Sequence, residues 1–207
     1  MLYFLLMQDK ISAFKQHVRE IASNSGFVPH KWFVKWHLEI VESIANDLRE
    51  LHPEADADLV EVMAWLHDYG KILSWERQYD RALLDKGRDK LVELGFSKDF
   101  ANKAADYIEM HDKALEMDLR QAPIEVQISS SADGCSHLVG PFLPIFWHEA
   151  TDKTFVNKTL EELMELNRKK IEKEWNYKIV LPEARKAFEA RHTFHLEQAG
   201  QLPIKFV

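Results

Sequence analysis

A single cysteine, Cys135, stands in the 207-residue chain, so no internal disulfide can form and zinc sites built on several cysteines are excluded. Such usage fits a reducing compartment, and the cytosol is the expected location. Basic surplus is lacking too. With a formal net charge of -7 and a pI of about 5.8, the chain has too little clustered Lys and Arg to track a phosphate backbone, which argues against long DNA or RNA as a partner. Long apolar runs are absent: the opening MLYFLLM is too short to span a membrane, has no basic region before it, and predicts an N-terminal helix docked on the core. There is no Gly-rich phosphate loop, no GxSxG elbow, no HExxH and no paired CxxC, which removes the nucleotide-binding α/β enzymes. Glycine and proline are scarce, at seven residues each. Between them the apolar residues recur at three-to-four spacing, so the expected fold class is all-α, with about seven or more helices.

What is present is an ordinary globular composition, 46% hydrophobic and 29% charged, with enough apolar surface for a buried core. The length suits one helical domain over 1–207, with a motif-bearing core at about 30–138 and flanking helices at 1–29 and 139–207. The patterning predicts helices over Leu2–Ser23, Pro29–Leu51, Asp58–Asp68, Ser97–His111, Pro123–Leu138, Lys153–Tyr177 and Pro182–Gln198. Pro53 closes the second, Asp58 and Glu61 read as a capping pair for the third, Gly70 as its left-handed C-terminal cap, and Ser97 as an N-cap. The stretch Leu73–Gly95 mixes charge with turn residues and reads as an irregular lid or entrance.

Ten histidines are spread unevenly, several on apolar helix faces where an unpaired ring is costly. His37 falls in the stripe Phe33, Ile40, Val41, Ile44, Leu48 and Leu51, and so faces inward. A buried helix reading LVEVMAWLHDYGK ends in the polar pair His67 and Asp68, for which a divalent cation is an economical partner. His111 continues the stripe Phe100, Ala104 and Ile108. Asp133 sits mid-helix on a face with Val126, Ser129, Ser130 and His137, where small neighbours leave room for an ion and a substrate. His137, four residues on, is placed to orient Asp133. His192 and His195 read as an exposed face, His148–Glu149 begins no zincin motif, and Trp32, Trp36, Trp65 and Trp75 read as core rather than a stacking platform.

The order His37, His67–Asp68 within WLHDYGK, His111, and Asp133 within SSADGCSHL resembles the HD superfamily of metal-dependent phosphohydrolases. The match spans about His30 to Leu138, and ARKAFEARHTFHLEQ is similar to the closing helix of small stand-alone members. The resemblance implies that His37, His67, Asp68 and Asp133 hold one divalent metal ion. Two imidazoles and two carboxylates suit Mn, Fe, Co, Ni or Zn, with Mg also acceptable. It further implies hydrolysis of a small phosphorylated substrate by metal-activated water, with Asp68 in the catalytic machinery. Lys71 is then the leading cation for the phosphate, Arg77 and Lys113 are lesser ones, and His111 is assigned to substrate contact or proton delivery. Two departures matter: no further His lies between His111 and Asp133, as in dinuclear members, and no acidic residue follows the HD aspartate by four, as in some deoxynucleotidases. A dinuclear-iron oxygenase and a non-catalytic module that binds a phosphorylated metabolite remain as alternatives.

Overall fold

The computed structural model describes residues 2–139 and 157–200. All regular elements among them are helical. The chain opens with α1 (Leu2–Ala22), crosses turns into a π-helix (Val34–Leu38) and runs on as α2 (Glu39–Leu51). Then come α3 (Ala57–Leu66), the short α4 (Tyr69–Leu73), a 3-10 turn (Trp75–Arg77), α5 (Arg81–Glu93) and α6 (Lys98–Asp112). A second 3-10 turn (Leu119–Gln121) leads to α7 (Ile124–Ser136). The C-terminal arm is α8 (Leu160–Lys173), a second π-helix (Glu174–Lys178) and α9 (Pro182–Gln198).

Helix α7 is the hub, packing on α2, α3, α6, the second π-helix and α9. It is buried nearly all round, including Ser129, Ser130, Ser131, Ala132, Asp133 and Gly134. Small side chains there let neighbours approach from several sides. Gly134 shows why: a Cβ on it would stand 2.7 Å from Ile179 Cγ1 and 3.2 Å from Lys178 Cβ. Helix α3 lies beside α7 with every residue from Leu59 to Leu66 except Glu61 buried. The apolar core extends from Ile11 in α1 to Ile171, Ile179, Val180, Leu181 and Ala184 in the C-terminal arm. No helix among the described residues is long and apolar enough to cross a membrane.

Several expectations are corrected. The predicted Pro29–Leu51 helix starts later and opens with the π-helix, whose i→i+5 bonding inserts a residue per turn and shifts the face. Leu38 is buried; within α2 the buried face is Val41, Ala45 and Leu48, and Leu51, the last helical residue, is exposed. Helix α3 is capped by Asp56, whose side chain accepts from the Leu59 amide, not by Asp58. Gly70 is no left-handed cap: it lies within α4, and a Cβ on it would meet the Gln78 carbonyl oxygen at 2.7 Å. Leu73–Gly95 is not irregular throughout, because Arg81–Glu93 is helix α5; only Trp75–Tyr79 forms the expected entrance. Ser97 does cap α6, accepting from the Phe100 amide. The start of the Lys153–Tyr177 helix and His148–Glu149 lie outside the described residues; the described part ends in the second π-helix.

Candidate metal centre

His37, on the first π-helix, His67 and Asp68, at the end of α3, and Asp133, on α7, meet beneath a cavity of about 230 Å³. Adjacent positions on a continuous helix would diverge. Here α3 stops at Leu66 and Asp68 takes a non-helical φ of -105°, so both side chains of the pair turn inward. His37 Nε2 lies 3.1 Å from His67 Nε2, 3.0 Å from Asp68 Oδ2 and 3.6 Å from Asp133 Oδ1. His67 Nε2 lies 3.4 Å from Asp68 Oδ2 and 3.7 Å from Asp133 Oδ1. Donors bonded to one transition metal at about 2.0 to 2.2 Å stand about 3.0 to 3.6 Å apart; His37, His67 and Asp133 form a group near that spacing, and Asp68 Oδ2 stands at it from the two imidazoles.

The hydrogen bonds behind the rings fix what they present. His67 Nδ1 lies 3.0 Å from the Ala64 carbonyl oxygen, which can only accept, so the proton sits on Nδ1. Ser136 Oγ donates to the Asp133 carbonyl at 2.7 Å and thus accepts from His37 Nδ1 at 3.1 Å. When neutral, both rings therefore turn Nε2 lone pairs toward each other, an arrangement that a cation between them stabilises. His111 is built differently: its Nδ1 is buried with no partner among the described residues. Lacking that support, it fits a substrate contact better than a metal ligand.

Each aspartate divides its oxygens. Asp68 Oδ2 and Asp133 Oδ1 face the imidazoles, whereas Asp68 Oδ1 takes Lys71 Nζ at 2.5 Å and Asp133 Oδ2 bonds Lys178 Nζ. Burial opposes both carboxylates' ionisation, but Lys71 for Asp68 and Lys178 for Asp133, with the nearby imidazoles, hold them well below the usual range. Burial likewise opposes the two ammonium groups, yet the facing carboxylates hold Lys71 above its ordinary value and Lys178 well above it. His111 Nε2 stands 3.3 Å from both Lys178 Nζ and Asp133 Oδ2. Burial, reinforced by Lys178, pushes His111 down to about 4, so it is neutral at neutral pH.

Lys178 is the chief residue that the sequence reading missed. Its one sequence signal is its place just before the apolar Ile179, Val180 and Leu181, which must be buried and draw it inward. The α7 serines complete the placement: Ser130 Oγ donates to the Lys178 carbonyl, and Ser131 Oγ accepts from the Val180 and Leu181 amides. Ser130 and Ser131 thus anchor the C-terminal arm rather than leave space for an ion. Glu174, also missed, is fully buried near His137, whose Nδ1 lies 3.9 Å from Glu174 Oε2 and 3.7 Å from Asp133 Oδ1. Asp133, His137 and Glu174 form a second group that could hold an ion. Lys170 Nζ, 2.6 Å from Glu174 Oε1, already supplies a cation there.

The remaining candidates fall elsewhere. Arg77 and Lys113 are exposed, pairing with Asp80 and Glu109 respectively, and neither lines the cavity. His192 is not on a free exposed face but stacks on Trp175 at 4.1 Å, and His195 is half-buried. Trp32 and Trp65 are core and Trp36 and Trp75 pack against it partly buried, as expected, while Trp32 and Trp75 also line the cavity. Cys135 is buried, which raises its thiol pKa and leaves it unreactive.

Proton competition follows from this geometry. Burial opposes the charged form of His67, but Asp68 and Asp133 raise its pKa, whereas burial lowers that of His37. A metal bound at His67 would have to displace its proton, so affinity should climb with pH through and somewhat above the ordinary imidazole range, about 6.5, and then level off. Competition titration with a chelating dye from about pH 5.5 to 8.5 measures this; a pH-independent affinity would mean that His67 is not a ligand.

No curated protein and no solved structure matches the chain. The HD domain family model matches residues 35–138, half of the chain, and that span includes His37, the His67–Asp68 pair, His111 and Asp133. The chain belongs to the HD domain family.

Proposed function

We propose that the protein is a phosphohydrolase that cleaves a small phosphate ester with one divalent ion held by His37, His67, Asp68 and Asp133. The observation that carries this reading is the division of each aspartate's oxygens, one toward the imidazoles and one toward a lysine at the cavity. An ion bound by the inward oxygens leaves Lys71 and Lys178 as point charges beside it. When bound, the metal lowers the pKa of a water and polarises a phosphoryl oxygen.

The chain's own groups do the rest. Lys71 and Lys178 hold the phosphoryl oxygens and offset the charge of a dianion, and neutral His111 hydrogen-bonds the same group beside Lys178. Trp32, Phe33, Trp75 and Tyr79 supply an apolar wall for the organic part. A single ion is favoured over a dinuclear oxygenase centre because Lys170 neutralises the second carboxylate cluster. Activity against p-nitrophenyl phosphate, screened with each of Mn, Fe, Co, Ni, Zn and Mg, tests the reading; no hydrolysis by the metal-loaded protein would favour a pure binding module.

Lys71→Ala should lower kcat/KM by roughly ten-fold to over a hundred-fold, the worth of one charge-assisted hydrogen bond. The ion should still bind at saturating metal, with affinity weakened by no more than about a hundred-fold, since Lys71 touches only the outward oxygen of Asp68. Wild-type kinetics at low and moderate salt would show that Lys71 does not hold the phosphate.

A further inference from the structure

Four lysines line the cavity, and three of them, Lys170, Lys173 and Lys178, come from the C-terminal arm, outside the matched family segment. Along α8, Leu166, Lys170 and Lys173 follow at spacings of four and three, so they share one face. That face looks into the cavity. The other basic residues of α8 are all paired: Arg168 with Glu165 and Glu172, Lys169 with Glu165, Lys170 with Glu174. Lys173 is the exception. It is half-buried, makes no ion pair among the described residues, and has Lys170 and Lys178 as neighbours.

A half-buried ammonium group beside two others is poorly placed without an anion. Burial, and then the charges of Lys170 and Lys178, lower its pKa, outweighing the opposing pull of Glu174 and Asp133, neither of which pairs with it. The scissile phosphoryl group cannot be that anion if Lys71 and Lys178 already serve it at the metal. Asp112, the one carboxylate of the lining outside the proposed ligand set, acts on Lys178 rather than on Lys173. With a divalent ion in place, the four ammonium groups and the ion outweigh the three lining carboxylates and Glu174.

Resting on the proposed phosphohydrolase reading, we propose that the substrate carries a second anionic group, a carboxylate or another phosphate, which Lys173 binds while its scissile phosphoryl group lies between Lys71, Lys178 and the metal. This narrows the substrate class to small bisanionic phosphate esters and assigns specificity to α8. Neutral sugar or alcohol phosphates should be weaker ligands.

The test is calorimetric binding to the manganese-loaded chain, with two probe pairs: glycerol 3-phosphate against 3-phosphoglycerate, and orthophosphate against methylenediphosphonate. At least one bisanionic probe should bind about ten-fold or more tightly than its partner. Lys173→Gln should abolish that difference, leave the weaker probe's affinity and the metal content within about two-fold, and Lys173→Arg should restore it. Equal affinities within both pairs, or a preference that survives Lys173→Gln, would overturn the proposal. Bound metal and ester hydrolysis without the preference would defeat this inference alone, whereas loss of metal binding and hydrolysis in the wild type would defeat the phosphohydrolase reading beneath it.

Discussion

Asp68→Ala should lose the metal ion and, with it, nearly all hydrolysis. The substitution removes Asp68 Oδ2, 3.0 Å from His37 Nε2 and 3.4 Å from His67 Nε2, and leaves two facing imidazole lone pairs with one carboxylate. Groups that only support a ligand contribute about ten- to a hundred-fold to metal affinity, so losing a ligand itself should exceed a hundred-fold. Metal catalysis is worth several kcal/mol, so kcat/KM should fall by about a thousand-fold or more. The fold should persist, because Lys71, freed of its partner, lies near the cavity and can reach water. Far-UV circular dichroism would check this; a variant that keeps the ion and its activity would remove Asp68 from the site.

The second large effect is expected at His111. It is 1% exposed, and its Nε2 sits against both Lys178 Nζ and Asp133 Oδ2. His111→Ala should retain the metal, since none of the four inward donors is changed, yet lower kcat by about a hundred-fold to ten-thousand-fold if the ring assists the phosphoryl group in the transition state. Steady-state kinetics with parallel metal analysis separates the roles. Loss of metal along with turnover would make His111 a ligand; a change in KM alone would make it a ground-state contact.

The proposed ligands were legible because each is a chemistry-bearing residue in an apolar helical context, and buried polar groups in such contexts demand a partner. The elements that refine their geometry were not. A π-turn has no distinctive residue pattern, yet the first carries His37 and the second carries Glu174 and Lys178. Helix α5 escaped notice because Gly87 looks like a breaker within a charged stretch. In the fold Gly87 is a contact point: a Cβ there would meet Leu66 Cδ1 at 2.5 Å and the Tyr69 ring at 3.1 Å. The charges beside it are helix-spaced pairs, Arg81 with Asp85 and Arg88 with Asp85, and Arg81 also reaches Asp106 and Glu109 on α6. Lys178 meets Asp133 across 45 positions of sequence, a distance over which no periodic pattern carries information.

Metal content is the most direct test of the central claim. Protein purified without chelators, or loaded with each candidate ion and desalted, should hold close to one divalent ion per chain by elemental analysis, and Asp68→Ala treated identically should hold almost none. A wild-type protein that is fully active without metal would contradict the account, and two ions per chain, both required for activity, would contradict its single-ion centre.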